Sequence, residues 1–263
     1  MSHPIEQLKQ IMAQLQDPET GCPWDLKQRF ETIIPHTIEE TYEVVDAIHA
    51  QDWDNLKEEL GDFVFQAIFY SRLAEEQNLF DFDDVIRGVN EKLIRRHPHV
   101  FDDQVLADDA AIQANWDKVK AEEKAQSGRS EQSILESIPH SLPALSKAHK
   151  IQARCAKVGF DWDTLAPVVE KVKEELDEVM YEVQQPEPDT DRIEDELGDL
   201  FFAVVNLTRH LQCHPESALT RANHKFTRRF QGVETLAHMQ GKPLNSFSLA
   251  ELDTLWDAVK AQE

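Results

Sequence analysis

Two sets of acidic residues recur in this chain at closely matched spacing. Glu39, Glu40 and Glu43 are followed by Glu59 and Asp62, and Glu174, Glu175 and Glu178 are followed by Glu196 and Asp199. Glu40 and Glu175 lie 135 positions apart, and Glu59/Glu196 and Asp62/Asp199 each lie 137 apart, so the halves differ only by small insertions between motifs. On a helix, at 100° per residue, Glu39, Glu43 and Asp46 fall within about 60° of one another with Glu40 at the edge of the arc. Ile38, Thr41, Tyr42, Val45 and Ile48 take the opposite side. Alone, that pattern describes an amphipathic helix with a solvated acidic face.

The segment after each Glu-x-x-Asp pair changes the reading. Residues 63–70 are apolar nearly all round, and residues 200–205 repeat the pattern, so Glu59, Asp62, Glu196 and Asp199 are expected to project from buried helices. Carboxylates about 6 Å apart repel by roughly 3 kcal/mol per pair at an effective dielectric near 20, and a divalent cation removes that repulsion. Mg²⁺ takes hard oxygen ligands and keeps positions for water or substrate phosphate, which suits a few carboxylates from two helices. The i,i+3 spacing of Glu40/Glu43, Glu59/Asp62, Glu175/Glu178 and Glu196/Asp199 aims each pair in one direction. Gly61 and Gly198, inside these helices, are expected to admit a close neighbour, either helix or ligand.

Other metal chemistries lack their residues. No Glu-x-x-His supports a di-iron bundle, no adjacent His-Asp pair supports a phosphohydrolase of that type, and no DxDxDG loop supports calcium binding. His97-Pro98-His99 reads as a surface turn without a counterpart in the second half. Cys22, Cys155 and Cys213 are widely spaced and contain no CxxC pair, which fits idle or buried thiols in a reducing compartment.

The elements that must position these groups are helical. Only 8 glycines occur in 263 residues, the chain is rich in Glu, Leu, Ala, Lys and Gln, and no segment alternates as a strand would. The duplication implies two modules, residues 1–124 and 142–263, joined by a linker over 125–141 that contains Ser127-Gly128-Arg129-Ser130. A net charge of −23 excludes nucleic-acid binding through a basic face. The absence of a long apolar run or a leader-like N-terminus leads us to expect a soluble, cytoplasmic protein without membrane association.

The repeat reaches beyond the acids. Gly21-Cys22-Pro23-Trp24-Asp25 is answered by Gly159-Phe160-Asp161-Trp162-Asp163. Lys92 and Arg96 are answered by Lys225 and Arg229, each pair one turn apart and suited to gripping a polyphosphate. Trp116 with Lys120, and Trp256 with Lys260, close the copies as candidates for stacking on a base and binding phosphate.

Together, EExxE, ExxD, the KxxxR helix, the Gly-x-x-Trp-Asp opening and the duplication resemble the two-domain bacterial members of the MazG family of nucleoside triphosphate pyrophosphohydrolases. The resemblance implies an all-α fold, a tandem duplication of a module with a four-helix core, and a homodimer. It implies Mg²⁺-dependent hydrolysis of NTPs and dNTPs of broad base range to nucleoside monophosphate and pyrophosphate, with Mn²⁺ as a substitute ion. Carried onto this chain, Glu175, Glu178, Glu196 and Asp199 are metal ligands, and Lys225, Arg229, Trp256 and Lys260 lie at the nucleotide. Glu40, Glu43, Glu59, Asp62, Lys92, Arg96, Trp116 and Lys120 hold the same places in the first copy. Glu174 and Glu175 are the catalytic candidates; Glu174, or Glu39 in the first copy, stands next to the ligands, where it either holds an outer ion or helps activate the water. The copies differ where Lys171 replaces His36 and Arg192 replaces Asn55, two extra cations for a triphosphate, so the second copy is the expected catalyst. A reading from another class is an acidic helical interaction protein that only dimerises.

Overall fold

A computed structural model describes residues 3–102, 107–126 and 133–263. Among these residues there are eleven α-helices and no strand, as the composition requires. The chain divides into two compact units, Met1–Arg129 and Ser130–Glu263. Of the linker expected over 125–141, residues 127–132 lie outside the described residues, 125 and 126 are helical, and 133–141 run in turns with Ile138 buried.

In the first unit, α1 (Pro4–Leu15), α2 (Phe30–Ala50), α3 (Trp53–Glu76) and α4 (Phe82–Arg96) form the four-helix core, followed by α5 (Pro98–Phe101) and α6 (Asp109–Gln126). The α2–α3 hairpin turns in two residues, with Gln51 at φ 56° and Asp52 accepting from the Asn55 amide at 3.1 Å to cap α3. Met12, Ile33, Ile68, Phe69 and Leu73 form the buried core beneath it.

In the second unit, α7 (Ala144–Ala156), α8 (Leu165–Val183), α9 (Thr190–His210) and α10 (Pro215–Met239) repeat the arrangement, and α11 (Leu249–Lys260) packs along α10. The α8–α9 connection, residues 184–189, carries Pro186 and Pro188 and is longer than its counterpart, which places the two-residue change in repeat offset in this turn. A Cβ on Gly232 would come within 2.9 Å of the Val259 side chain, so glycine is what lets α10 and α11 touch. Val233, Ala237 and Leu255 are buried at that crossing.

Two expectations need correction. A Cβ on Gly61 or Gly198 would meet no atom within 4 Å, so neither glycine admits a neighbouring helix of its own unit, which leaves the ligand as the close neighbour expected there. The apolar residues of the acidic hairpins are also buried only in part: Ile33, Ile68, Phe69, Val168, Ala203 and Val205 are buried, whereas Phe63 and Val64 are exposed. Ile38 and Tyr42 are more than half exposed, as are Tyr181 and Phe201, because each hairpin turns its carboxylates toward its own partner helix and its apolar stripe outward.

Candidate functional site

In the second unit, the hairpin brings carboxylate oxygens of Glu175 and Glu178 on α8 and Glu196 on α9 within 4.8 Å of one another. Glu175 is 5 % exposed. Loss of hydration, a hydrogen bond with Glu175 and the charges of Glu175 and Glu196 hold the Glu178 carboxyl above its ordinary value, while Lys171 pulls the other way. The Lys171 ammonium sits 2.6 Å from Glu175 and 3.0 Å from Glu174, one turn earlier on the same helix, and these two hydrogen bonds raise its pKa well above that of a free lysine.

The first unit repeats the cluster with Glu40 from α2 and Glu59 and Asp62 from α3, again within 4.8 Å. Burial, then the charges of Asp62, Glu43, Glu59 and Glu39, raise the Glu40 pKa. Glu59 is raised by lost hydration and by Glu43 and Asp62. Six of the eight nominated carboxylates thus gather in two triads. Glu43 faces the first triad electrostatically, and Asp199 lines a cavity beside the second.

That cavity, of about 440 Å³, was not foreseen from the sequence. Glu175, Lys171 and Asp199 line one part of it, and Cys155, Asp161, Trp162, Phe202, Asn206 and Arg209 are among the residues that line the rest. The repeat itself held a signal for it. At the 137-residue offset, Ala203 and Asn206 answer Gln66 and Phe69, which are buried in the first unit, Phe69 in its apolar core.

Most of the remaining cations pair with acids outside the carboxylate triads. Arg192 pairs with Glu182 at 3.1 Å, a buried glutamate one turn beyond Glu178. Arg229 grips Glu263 through Nη2 at 2.6 Å and Nε at 3.0 Å and lies 5.8 Å from the Trp256 ring centroid. Lys260 pairs with Asp257 at 2.7 Å, and Lys225 is exposed on α10. Trp256 is half-buried against the α10–α11 core, 5.1 Å from Phe226. In the first unit Arg96 and Arg95 hold Glu123 in the same manner, and Trp116 packs edge-on to His97 at 5.4 Å.

A family model for the MazG nucleotide pyrophosphohydrolase domain matches residues 28–101 and, a second time, residues 164–233. The chain belongs to the MazG family. Both MazG segments contain an acidic hairpin with its triad, and the tandem all-α duplication read from the sequence is borne out. A MazG protein is an enzyme, which removes the purely structural reading. Among similar proteins, the nucleoside triphosphate pyrophosphohydrolase of Escherichia coli K12 is 51 % identical over 98 % of both chains. The nucleoside triphosphate pyrophosphohydrolase/pyrophosphatase MazG of Thermotoga maritima is 43 % identical over 97 % of this chain and 95 % of its own length. A Bacillus subtilis protein named YabN is 42 % identical over 99 % of this chain, which accounts for 52 % of that protein.

Proposed function

We propose that the second copy hydrolyses nucleoside and deoxynucleoside triphosphates, with a broad range of bases, to the monophosphate and pyrophosphate using Mg²⁺, which Mn²⁺ can replace. The observation that carries this reading is that Glu175 belongs both to the carboxylate triad and to the lining of a cavity large enough for a nucleoside. The names of the E. coli and T. maritima relatives support the same activity.

The donor set fits a hard divalent cation. Three carboxylates within 4.8 Å, one of them buried and paired with Lys171 and one raised in pKa by lost hydration and by its neighbours, repel one another, and a divalent cation would join them. Glu175, Glu178, Glu196 and Asp199 would hold Mg²⁺. What the ion supplies is neutralisation of the α- and β-phosphate charge and Lewis-acid activation of water. Glu174, exposed one step along α8, accepts the proton of the attacking water, and Glu175 orients that water in line with the α-phosphorus. Lys171 is paired with Glu174 and Glu175, and its ammonium would turn from them to the phosphates were those carboxylates to hold the ion. Lys225, Arg229 and Lys260 contribute further phosphate contacts, with Arg229 exchanging Glu263 for substrate. Arg192 steadies the end of the hairpin through Glu182 and adds positive potential. Trp256 is assigned to the nucleotide with them.

The outward apolar stripes of α2, α3, α8 and α9 favour a homodimer, because exposed patches of this kind are uncommon on monomers. No helix among the described residues is long and apolar enough to cross a membrane, and we assign the enzyme to the cytoplasm.

The test is incubation of the full chain with Mg²⁺ and a panel of NTPs and dNTPs, with the products resolved. Monophosphate and pyrophosphate are expected, and both should vanish in Glu196→Gln with Asp199→Asn while circular dichroism is unchanged. Release of diphosphate and inorganic phosphate instead would refute the reaction class.

A further inference from the structure

Outside the hairpin, the cavity beside the triad is walled by α7 and by the turn after it, residues 159–162, which carries Trp162. The turn leaves the helix through Gly159 at φ 84°, and the Phe160 amide donates back to the Cys155 carbonyl at 3.0 Å, closing the helix end in the left-handed manner that favours glycine. Beyond that point the turn is held on α9 by its own Asp161. The Asp161 carboxylate accepts from Arg209 Nη2 and from the Trp162 amide at 2.9 Å, and His210 Nε2 lies 3.0 Å both from that carboxylate and from Arg209 Nη2. Arg209 is fixed in turn by the Asn206 side-chain carbonyl, which accepts from its Nε at 3.0 Å and from its Nη2 at 2.8 Å, and Asn206 lines the cavity. Burial opposes ionisation of Asp161, but these donors outweigh it and keep the carboxyl below its ordinary value.

The first unit is an internal control. In the pairing of the two Gly-x-x-Trp-Asp openings Asp161 answers Pro23, which has no acceptor side chain, and at the 137-residue offset His210 answers Leu73, which is in the core. Arg209 answers Arg72, which is engaged along its own helix by Glu75 at 3.0 Å and Glu76 at 3.2 Å. The side chains that tie the turn to the long helix therefore occur in the copy that has the nucleoside-sized cavity.

We propose that Asp161, clamped by Arg209 and His210, is a positioning residue that holds Trp162 as the wall against which the aromatic base of the substrate packs. This rests on the pyrophosphohydrolase reading above and deepens it, because the clamp acts on the nucleoside and not on the phosphates. A charge-assisted bond to a carboxylate is stronger than a neutral one, so neutralising Asp161 frees the turn while leaving the triad untouched. Its loss then appears in KM more than in kcat.

The experiment compares full-length wild type, Asp161→Asn, His210→Leu and, as control, Arg72→Gln, using ATP and Mg²⁺. Asp161→Asn should raise KM about tenfold with kcat within about twofold, and His210→Leu should raise it about threefold, since one charge-assisted bond remains in place. Arg72→Gln should leave both constants unchanged. The nucleotide-dependent quenching of tryptophan fluorescence that Trp162→Phe removes should lose amplitude in Asp161→Asn. If Asp161→Asn does not fold, His210→Leu decides alone. A lowered melting temperature with wild-type KM and wild-type quenching would overturn the clamp while leaving the pyrophosphohydrolase reading intact. A wild-type protein that releases no pyrophosphate would overturn both.

Discussion

In the first copy Phe69 and Gln66 are buried on α3, and Phe69 packs with Met12 and Ile33 in a closed apolar core. In the second copy the matching positions of α9 are Asn206 and Ala203, and a cavity of about 440 Å³ opens between that helix, α7 and α8, with Glu175 and Asp199 on its lining. Both copies gather three carboxylates within 4.8 Å. The second triad has beside it the cavity that we propose takes the nucleoside, and the first copy carries the larger side chains Gln66 and Phe69 at the matching positions. The difference teaches that a duplicated module can keep its acidic cluster while the residues packed beside it change in size and polarity.

The largest effect should come from importing the first copy's residues into the second. Ala203→Gln with Asn206→Phe is expected to raise KM for ATP at least about tenfold in a steady-state pyrophosphate assay, because the added side chains occupy the base's place. Overpacking of this kind costs about 1–3 kcal/mol, so the fold should survive in a urea titration. Wild-type KM in the double variant would break the comparison at its centre.

The converse change should be felt in stability and not in activity. Phe69 is 1 % exposed, and Phe69→Ala is expected to destabilise the first unit by about 3–5 kcal/mol in denaturant unfolding, while turnover well below the transition stays at the wild-type level. A loss of turnover in step with stability would mean that the first core supports catalysis directly.

The repeat, the helices and the acidic pairs were legible in the sequence because they are local. An i,i+3 pair points one way on any helix, and a matched offset needs no tertiary knowledge. The cavity was legible only in retrospect, as the change from Gln66 and Phe69 to Ala203 and Asn206, since small residues announce a void only once the neighbouring helices are placed. The cations were the least legible. Arg229 and Lys225 share a face by spacing, yet Arg229 meets Glu263, 34 positions away, and Arg192 meets Glu182 across a turn. In a chain with 50 acidic residues, the nearest anion is decided by packing between helices and not by motif. The outward apolar stripes were misread for a related reason, because amphipathicity shows which residues share a side and leaves open which side meets the core of the same unit.

The smallest effect concerns a feature that the copies share. Glu123 is held at about 2 by hydrogen bonds from Arg96 and Arg95, and Glu263 at about 2 by those from Arg229 and Arg228, both down from 4.5. A carboxyl whose folded pKa is depressed contributes stability that is complete above its unfolded pKa and is lost as pH falls through the folded one. Glu123→Gln and Glu263→Gln should each lower the melting temperature slightly at neutral pH. Both differences should shrink together between about pH 4.5 and about pH 2, and a difference that persists at pH 2 would show that the pairs act through packing instead.

The central claim is that catalysis resides in the copy with the open cavity. It is tested most directly by pyrophosphate release at saturating Mg²⁺ and nucleotide from two full-length variants, Glu175→Gln with Glu178→Gln and Glu40→Gln with Glu43→Gln. Loss of metal-based stabilisation is worth several kcal/mol, so the second-copy variant should fall by about a thousandfold while the first-copy variant stays within about threefold of wild type. Collapse of the first-copy variant with retention in the second-copy variant would contradict the account and move the active site to Glu40, Glu43, Glu59 and Asp62.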